Sequence, residues 1–277
     1  MLLGLAAALA AAVVFGGASI LQAIGSRRVS SSSGFDLGTV GRLLRQPPFV
    51  AALLLNLLGF VLHLVAVRTL PLFLAQAGIA ASLAVTALLA VRIFHDQLGA
   101  MEWSAVAAVC LGLALLTAAA GETGEERATA TSSLALFGVA AAMIAGGLVA
   151  TRGRGVVSAV MLSLLAGIGF ATSAVSSRLL PDLTVSSVIG SPVTYALGLS
   201  GGLAFLLYSL ALQRSSITVA TAPMIVLQTA VPAVVGVVLL GDEVRSGWAA
   251  GALVGSVLTA AGGVALVHYE GIREQAR

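Results

Sequence analysis

Long apolar runs, free of charge, alternate with short polar turns along almost the whole chain. Nine of them reach the length that a helix needs to cross a bilayer, about 20 residues. They fall near 2–25, 49–67, 72–93, 101–120, 133–150, 156–177, 193–213, 217–240 and 247–267. The connections are mostly short, and the longest polar one is "SRRVSSSSGFDLGTVGRLLRQPP" at 26–48. No separate soluble domain fits between them. The pattern predicts an all-α, polytopic membrane protein of about nine spans, one transmembrane domain over 1–277. Its first half covers 1–120 with spans 1–4, and its second half covers 133–277 with spans 5–9.

Two stretches carry the same pattern. "LHLVAVRTLPLFLAQAGIAASLAVTALLAVRIFHDQLGAMEW" (62–103) lies under "LYSLALQRSSITVATAPMIVLQTAVPAVVGVVLLGDEVRSGW" (207–248). Each reads as the end of one span, a polar turn, a long span, an acidic turn and a tryptophan. Leu62 meets Leu207 and Trp103 meets Trp248 at a constant offset of 145. The offset carries span 3 onto span 8, an odd number of crossings, so the two copies run in opposite directions. An inverted-topology repeat of this kind is the signature of secondary transporters with a site near the midplane.

Composition fits that picture. The chain is 59% hydrophobic and only 9% charged, against roughly a quarter charged for a soluble domain, so lipid is its solvent. All 14 basic residues are arginine, and the net charge of +3 is too thin for a nucleic-acid binder. Placement says more than the sum. Arg27, Arg28, Arg42, Arg45, Arg92, Arg152, Arg154, Arg214, Arg273 and Arg277 fall on one side; Arg68, Arg127, Arg178 and Arg245 fall on the other. The positive-inside rule then places the carboxyl terminus in the cytoplasm of a cell with this protein in its cytoplasmic membrane, and the amino terminus outside. The acidic "GETGEER" (121–127) faces outward. The first run has no basic residues before it, which reads as a first span and not a cleaved signal. Cys110, the one cysteine, lies in an apolar run and reads as a buried, inert thiol.

The stretches "ALAAAVVFGGASILQAIGSRR" and "LLLNLLGFVLHLVAVRTLPLFLAQAGIAASLAVTALL" resemble the drug/metabolite transporter superfamily, of the EamA-like kind. The branch they most resemble is the NIPA-type proteins, described as magnesium transporters. The resemblance covers nearly the whole chain through loose apolar patterns, and it implies nine spans and membrane transport. Superfamily members carry a proline in the long span and a glutamate just after it. Span 8 here has Pro223, Pro232 and Glu243, whereas span 3 has Gly78 at the proline position and Asp96 or Gln97 near the glutamate position.

Polar residues at bilayer depth need a partner or a wet cavity, and so mark a site. They are Gln22, Asn56, His63, Gln76, Thr86, Tyr208, Gln228 and Thr229. Gln228 and Thr229 lie between Pro223 and Pro232, each of which removes a backbone donor and is expected to kink span 8. Gly78 is the aligned weak point in span 3. Irregular helices at matching places in the two halves point to the binding site. The candidate substrate contacts are Gln228, Thr229, Asn56, His63, Gln76 and Tyr208, with Pro223, Pro232 and Gly78 as kink or gating positions. His63 and Tyr208 are expected at mid-to-outer depth, and Gln22 as an interfacial anchor. The alternative for Gln228 is a hydrogen bond to another helix.

No carboxylate falls well inside a span; Asp96, Asp242 and Glu243 sit in turns. That suits a small organic solute better than magnesium, a hard cation that prefers carboxylate or phosphate oxygens. No metal site and no cofactor are expected. Helix-packing residues Gly251 and Gly255 in span 9, with Ala108 and Gly112 in span 4, permit close backbone approach. The resemblance puts them at the seam between the halves; a homodimer contact through Gly251 and Gly255 is the alternative. No catalytic motif is present: no HExxH pair, nucleophile elbow or phosphate loop. The expected function is therefore a non-enzymatic secondary transporter of a small solute by alternating access. The alternatives are a divalent-cation transporter and a non-transporting membrane subunit that assists an envelope-lipid pathway.

Overall fold

The computed structural model describes the backbone of residues 2–28, 41–94, 99–124, 128–181, 184–215 and 217–275. Asp96, Gln97, Glu125 and Arg127 lie outside the described residues, as does the side chain of Thr86. Among the described residues the protein is helical, with one isolated bridge between Ala120 and Val244. The long helices are α1 (Leu2–Arg27), α2 (Pro47–Thr69), α3 (Leu72–Phe94), α4 (Ala100–Ala119), α5 (Ala130–Arg152), α6 (Gly155–Arg178), α7 (Pro192–Leu212), α8 (Ile217–Leu239) and α9 (Ala249–Gln275). A six-residue helix, Val185–Gly190, precedes α7. Local chemistry sets several boundaries. Prolines open α2 and α7, where a missing N–H costs nothing. Thr129 and Ser132 form a reciprocal capping box at the start of α5.

Helices α1, α2, α5, α6 and α7 are long and apolar enough to cross a membrane over their described residues. Their outer faces carry large aliphatic side chains: Leu54, Leu57, Leu58 and Val61 on α2, and Leu253, Val254 and Val257 on α9. Water would not tolerate apolar faces of that extent; lipid does. The protein is a polytopic helical membrane protein. Its interior is built instead from small residues, with alanine, glycine and serine predominating along α6, the composition that brings helix backbones close where lipid supplies no hydrophobic drive.

Helix α1 packs on α2 and α3, and α6 packs on α7 and α8. Helix α3 meets α4 as α8 meets α9; α2 meets α6 as α7 meets α1. Across the molecule α3 meets α8, and α4 meets α9 along their length. Helix α5 lies outside this arrangement, against α6 and α7. At the α4–α9 contact a Cβ on Gly112 would collide with the hydroxyl of Thr259 and lie 2.6 Å from Gly255 O. A Cβ on Gly255 would lie 2.9 Å from Gly112 O. Gly255 is thus engaged within the chain, while the atoms nearest to a Cβ on Gly251 belong to Trp248, the residue before α9. Cys110 corrects an expectation: it is exposed on α4, because in lipid an apolar run has an outward face as well as a buried one.

Candidate functional site

A cavity of about 510 Å³ lies among α1, α2, α3, α6, α7 and α8. Asn56, His63, Gln76, Tyr208 and Gln228 all border it, drawn together from positions up to 172 residues apart. Thr229 is not among its lining; its hydroxyl bonds back to Ile225 O at 2.8 Å. Among the described residues that line the cavity there is no arginine and no carboxylate. Its wall is mainly apolar, with rings from Phe15, Phe60, Phe170 and Phe205.

Two hydrogen bonds join neighbouring helices at positions 145 residues apart. The Gln76 side-chain nitrogen lies 3.3 Å from His63 Nε2, joining α3 to α2. The Tyr208 hydroxyl lies 2.7 Å from Thr221 Oγ1, joining α7 to α8. His63 maps to Tyr208 and Gln76 to Thr221 at the same offset of 145. The two pairs do not share one depth, however. His63 is near the end of α2 that leads into Pro71, whereas Tyr208 is near the end of α7 that leads into Arg214. Equivalent residues of oppositely directed hairpins occupy opposite ends, which corrects the common depth expected for them. Because the Gln76 amide donates, His63 Nε2 accepts and the ring proton sits on Nδ1. Among the described residues neither His63 Nδ1 nor Gln76 Oε1 has a partner. A donor on α2 and an acceptor on α3 are left buried and unsatisfied.

Gln228 is 8% exposed, borders the cavity, and has no hydrogen-bond partner among the described residues. Among the described residues no second helix takes up its amide. Helix α8 runs through both Pro223 and Pro232 as one element. Pro232 cannot donate to the carbonyl four residues back, and that carbonyl belongs to Gln228, so one residue brings a free amide and a released carbonyl. Gly78 plays another part from that expected. A Cβ there would lie 3.0 Å from that of Ala8, so it serves close packing of α3 on α1, within a helix that continues unbroken. Asn56 donates to Ala52 O at 2.8 Å, one turn back on its own helix.

Other lining residues escaped sequence reasoning. Ser173, Ser177 and Thr221 border the cavity, and the cluster "ATSAVSS" (171–177) was the available signal. It is a weak one, since a serine in a helix commonly bonds its own backbone, as Ser177 does to Ser173 O at 2.8 Å. Gln22 is no interfacial anchor: it is 3% exposed and donates to Ser209 Oγ at 3.0 Å, tying α1 to α7.

Both ends of the cavity are tied. At one end Asp242, expected in an interfacial turn, is buried at 3% exposure. Its carboxylate accepts from Leu72 N at 2.6 Å, Gly124 N at 3.0 Å and the Arg178 guanidinium at 2.7 Å. Arg178 also donates to Leu70 O, and Arg68 donates to Leu180 O, each at 2.9 Å. One carboxylate thereby joins the α2–α3, α4–α5, α6–α7 and α8–α9 connections. Room for it is made by Gly236, where a Cβ would lie 2.7 Å from Asp242 Oδ2, and by Gly241, whose φ of 71° turns the chain after α8. Beyond this layer a second cavity, of about 920 Å³, is lined by Arg68, Arg178 and Thr129.

At the other end the rings of Phe49 and Phe205 meet edge to face, 5.3 Å between centroids. Arg214 there donates to Ser158 Oγ at 2.5 Å and to Gly153 O at 3.3 Å. Burial lowers its guanidinium from the ordinary value, which leaves it charged at neutral pH. Among the described residues no cluster of histidine, cysteine and carboxylates is placed to hold a metal ion. In comparisons with protein-family models, curated proteins and solved structures, the chain matches none.

Proposed function

We propose that this protein is a secondary transporter of the drug/metabolite type, moving a small, uncharged organic solute across the cytoplasmic membrane by alternating access. Nine spans would divide into two inverted halves around the cavity. The observation that carries the proposal is that cavity: Gln228 without a partner among the described residues, and the unsatisfied His63 Nδ1 and Gln76 Oε1 beside it. An unpaired buried polar group costs about 1–3 kcal/mol, a cost that a passing solute would relieve. Two facts support the inverted halves. Helices α1–α4 and α6–α9 share most of their packing partners, though α3 also meets α9 without a comparable α8–α4 contact, and the His63–Gln76 pair recurs as Tyr208–Thr221.

With the amino terminus outside, the Asp242 end would be the outer one, and the Arg178–Asp242 pair would hold that end together. Opening outward would require that pair to part, as the outer step of the cycle. Orientation is tested separately by reporter fusions. A cytoplasm-active reporter after Arg277 is expected to be active; silence there, with activity after Glu125, would overturn the arrangement.

The site itself is tested by a thermal-shift screen of the detergent-purified protein against metabolites and divalent cations. Neutral solutes rich in hydroxyl or amide groups are expected to raise the melting temperature. Magnesium is expected to leave it unchanged, because the described lining offers no carboxylate to this hard cation. Stabilisation by magnesium alone would defeat the preference for an organic solute.

A further inference from the structure

Among the described residues the cavity wall has a gap between α2 and α7. Leu53, Leu57 and Phe60 of α2 border the cavity, as do Gly198, Gly202 and Phe205 of α7. These are the same three positions at the offset of 145. Where the first half has two leucines, the second has two glycines, and a Cβ on either glycine would meet nothing within 4 Å. Leu53 and Leu57 are 38% and 61% exposed although they border the cavity, and Gly198 and Gly202 are exposed as well. Helices α2 and α7 meet at Phe49 and Phe205 but do not pack along their length.

Depth decides what lies outside the gap. Leu57 is ten residues into α2 and Gly202 ten residues into α7, which run in opposite senses. At a rise of about 1.5 Å per residue each is about 15 Å from its helix start, halfway through a hydrocarbon core of about 30 Å. The gap opens on acyl chains, not on water.

We propose that the cavity takes its ligand sideways from the bilayer, and that the ligand is an uncharged amphiphile: a hydroxylated headgroup on a single hydrocarbon chain that lies in the gap between α2 and α7. This rests on the transporter reading and names its substrate class. The headgroup is uncharged because the described lining carries no formal charge to pair an ion, and a buried unpaired charge is far more costly than a buried hydroxyl. It is hydroxylated because a hydroxyl both gives and accepts a proton bond. Separate hydroxyls of the headgroup would accept from His63 Nδ1 and donate to Gln76 Oε1, the two buried atoms left unpaired among the described residues. The chain follows from the apolar walls and from the glycines, which clear its path.

The test uses the full chain in lipid nanodiscs and a dodecyl glucoside with a photoreactive diazirine at the sugar end of its chain. Labelling is read by mass spectrometry at Met224 and Ile225, which border the cavity and are 7% and 3% exposed, out of reach of bulk lipid. Excess unlabelled dodecyl glucoside should suppress it; free glucose and laurate should not. Gly198→Leu with Gly202→Leu, which restores the side chains of the first half, should reduce labelling at least tenfold. Gly138→Leu, on an exposed face of α5 where a Cβ also meets nothing, is the control and should leave labelling unchanged. Neither the double substitution nor the control opposes folding, since leucine is the better helix former. Suppression by free glucose as effective as by dodecyl glucoside, or labelling that ignores the two glycine substitutions, overturns lateral access while leaving a transporter of chainless solutes intact. Absence of labelling in the wild type overturns the substrate class too, and solute flux by the same chain then judges the transporter reading on its own.

Discussion

Replacing Gln228 by leucine is expected to leave the protein folded and to remove most of its response to ligand. The amide borders the cavity and has no hydrogen-bond partner among the described residues, so its loss breaks no described internal contact. Leucine is of similar volume, fits the apolar surroundings of Met224 and Ile225, and removes a group that costs energy to bury unpaired. The melting temperature without ligand should stay the same or rise slightly. Binding should weaken about tenfold to a hundredfold: the solute's own polar group would be left unpaired at a cost of about 1–3 kcal/mol, and 1.4 kcal/mol is about a factor of ten. A protein in which Gln228 only joined helices would lose stability and keep its transport per folded molecule. Melting curves of the Gln228→Leu protein, with and without a stabilising solute, separate the two.

The second large effect concerns Asp242. Asp242→Ala leaves the buried Arg178 guanidinium without its carboxylate and strands the N–H groups of Leu72 and Gly124. Removing one member of a buried, hydrogen-bonded ion pair costs about 3–5 kcal/mol. Because the same carboxylate joins four connections, the loss should appear as a clear fall in melting temperature and as protease sensitivity near Gly124. Replacing both partners, Asp242→Leu with Arg178→Met, should recover part of that stability, since no charge is then left buried alone. A cost below about 1 kcal/mol for Asp242→Ala, the range of an exposed ion pair, would show that the pair does not hold this end together.

How far the sequence reached depended on whether a feature was local. The long helices were legible because apolar length and flanking turns are properties of contiguous residues, and prolines at 47, 48 and 192 open helices where Pro is tolerated. The offset of 145 that pairs Leu62 with Leu207 and Trp103 with Trp248 in the sequence also relates the His63–Gln76 bond to the Tyr208–Thr221 bond. The shared depth expected for His63 and Tyr208 does not hold, because reversing a hairpin exchanges its ends. Burial of Asp242 was illegible for another reason. An acid in a turn looks interfacial, and what buries it is Arg178, 64 residues earlier, together with two backbone N–H groups. Gln22 likewise takes its role from Ser209, 187 residues away. Gly78 read as a weak point because sequence shows the missing side chain and not the Ala8 methyl that needs the space. The gap between α2 and α7 was latent in the pattern: Leu53 and Leu57 stand over Gly198 and Gly202 at the offset of 145. Only the placement of α2 and α7 beside the cavity turns that mismatch into an opening.

The most direct measurement is solute flux in proteoliposomes that contain this chain and no other protein. A solute that raises the melting temperature of the purified protein should enter wild-type vesicles in a saturable way and exchange against the same solute inside. Gln228→Leu vesicles, loaded with equal folded protein, should show at least a tenfold slower flux. Ligand stabilisation without any flux by the wild-type chain would contradict the account and leave a binding subunit in place of a transporter.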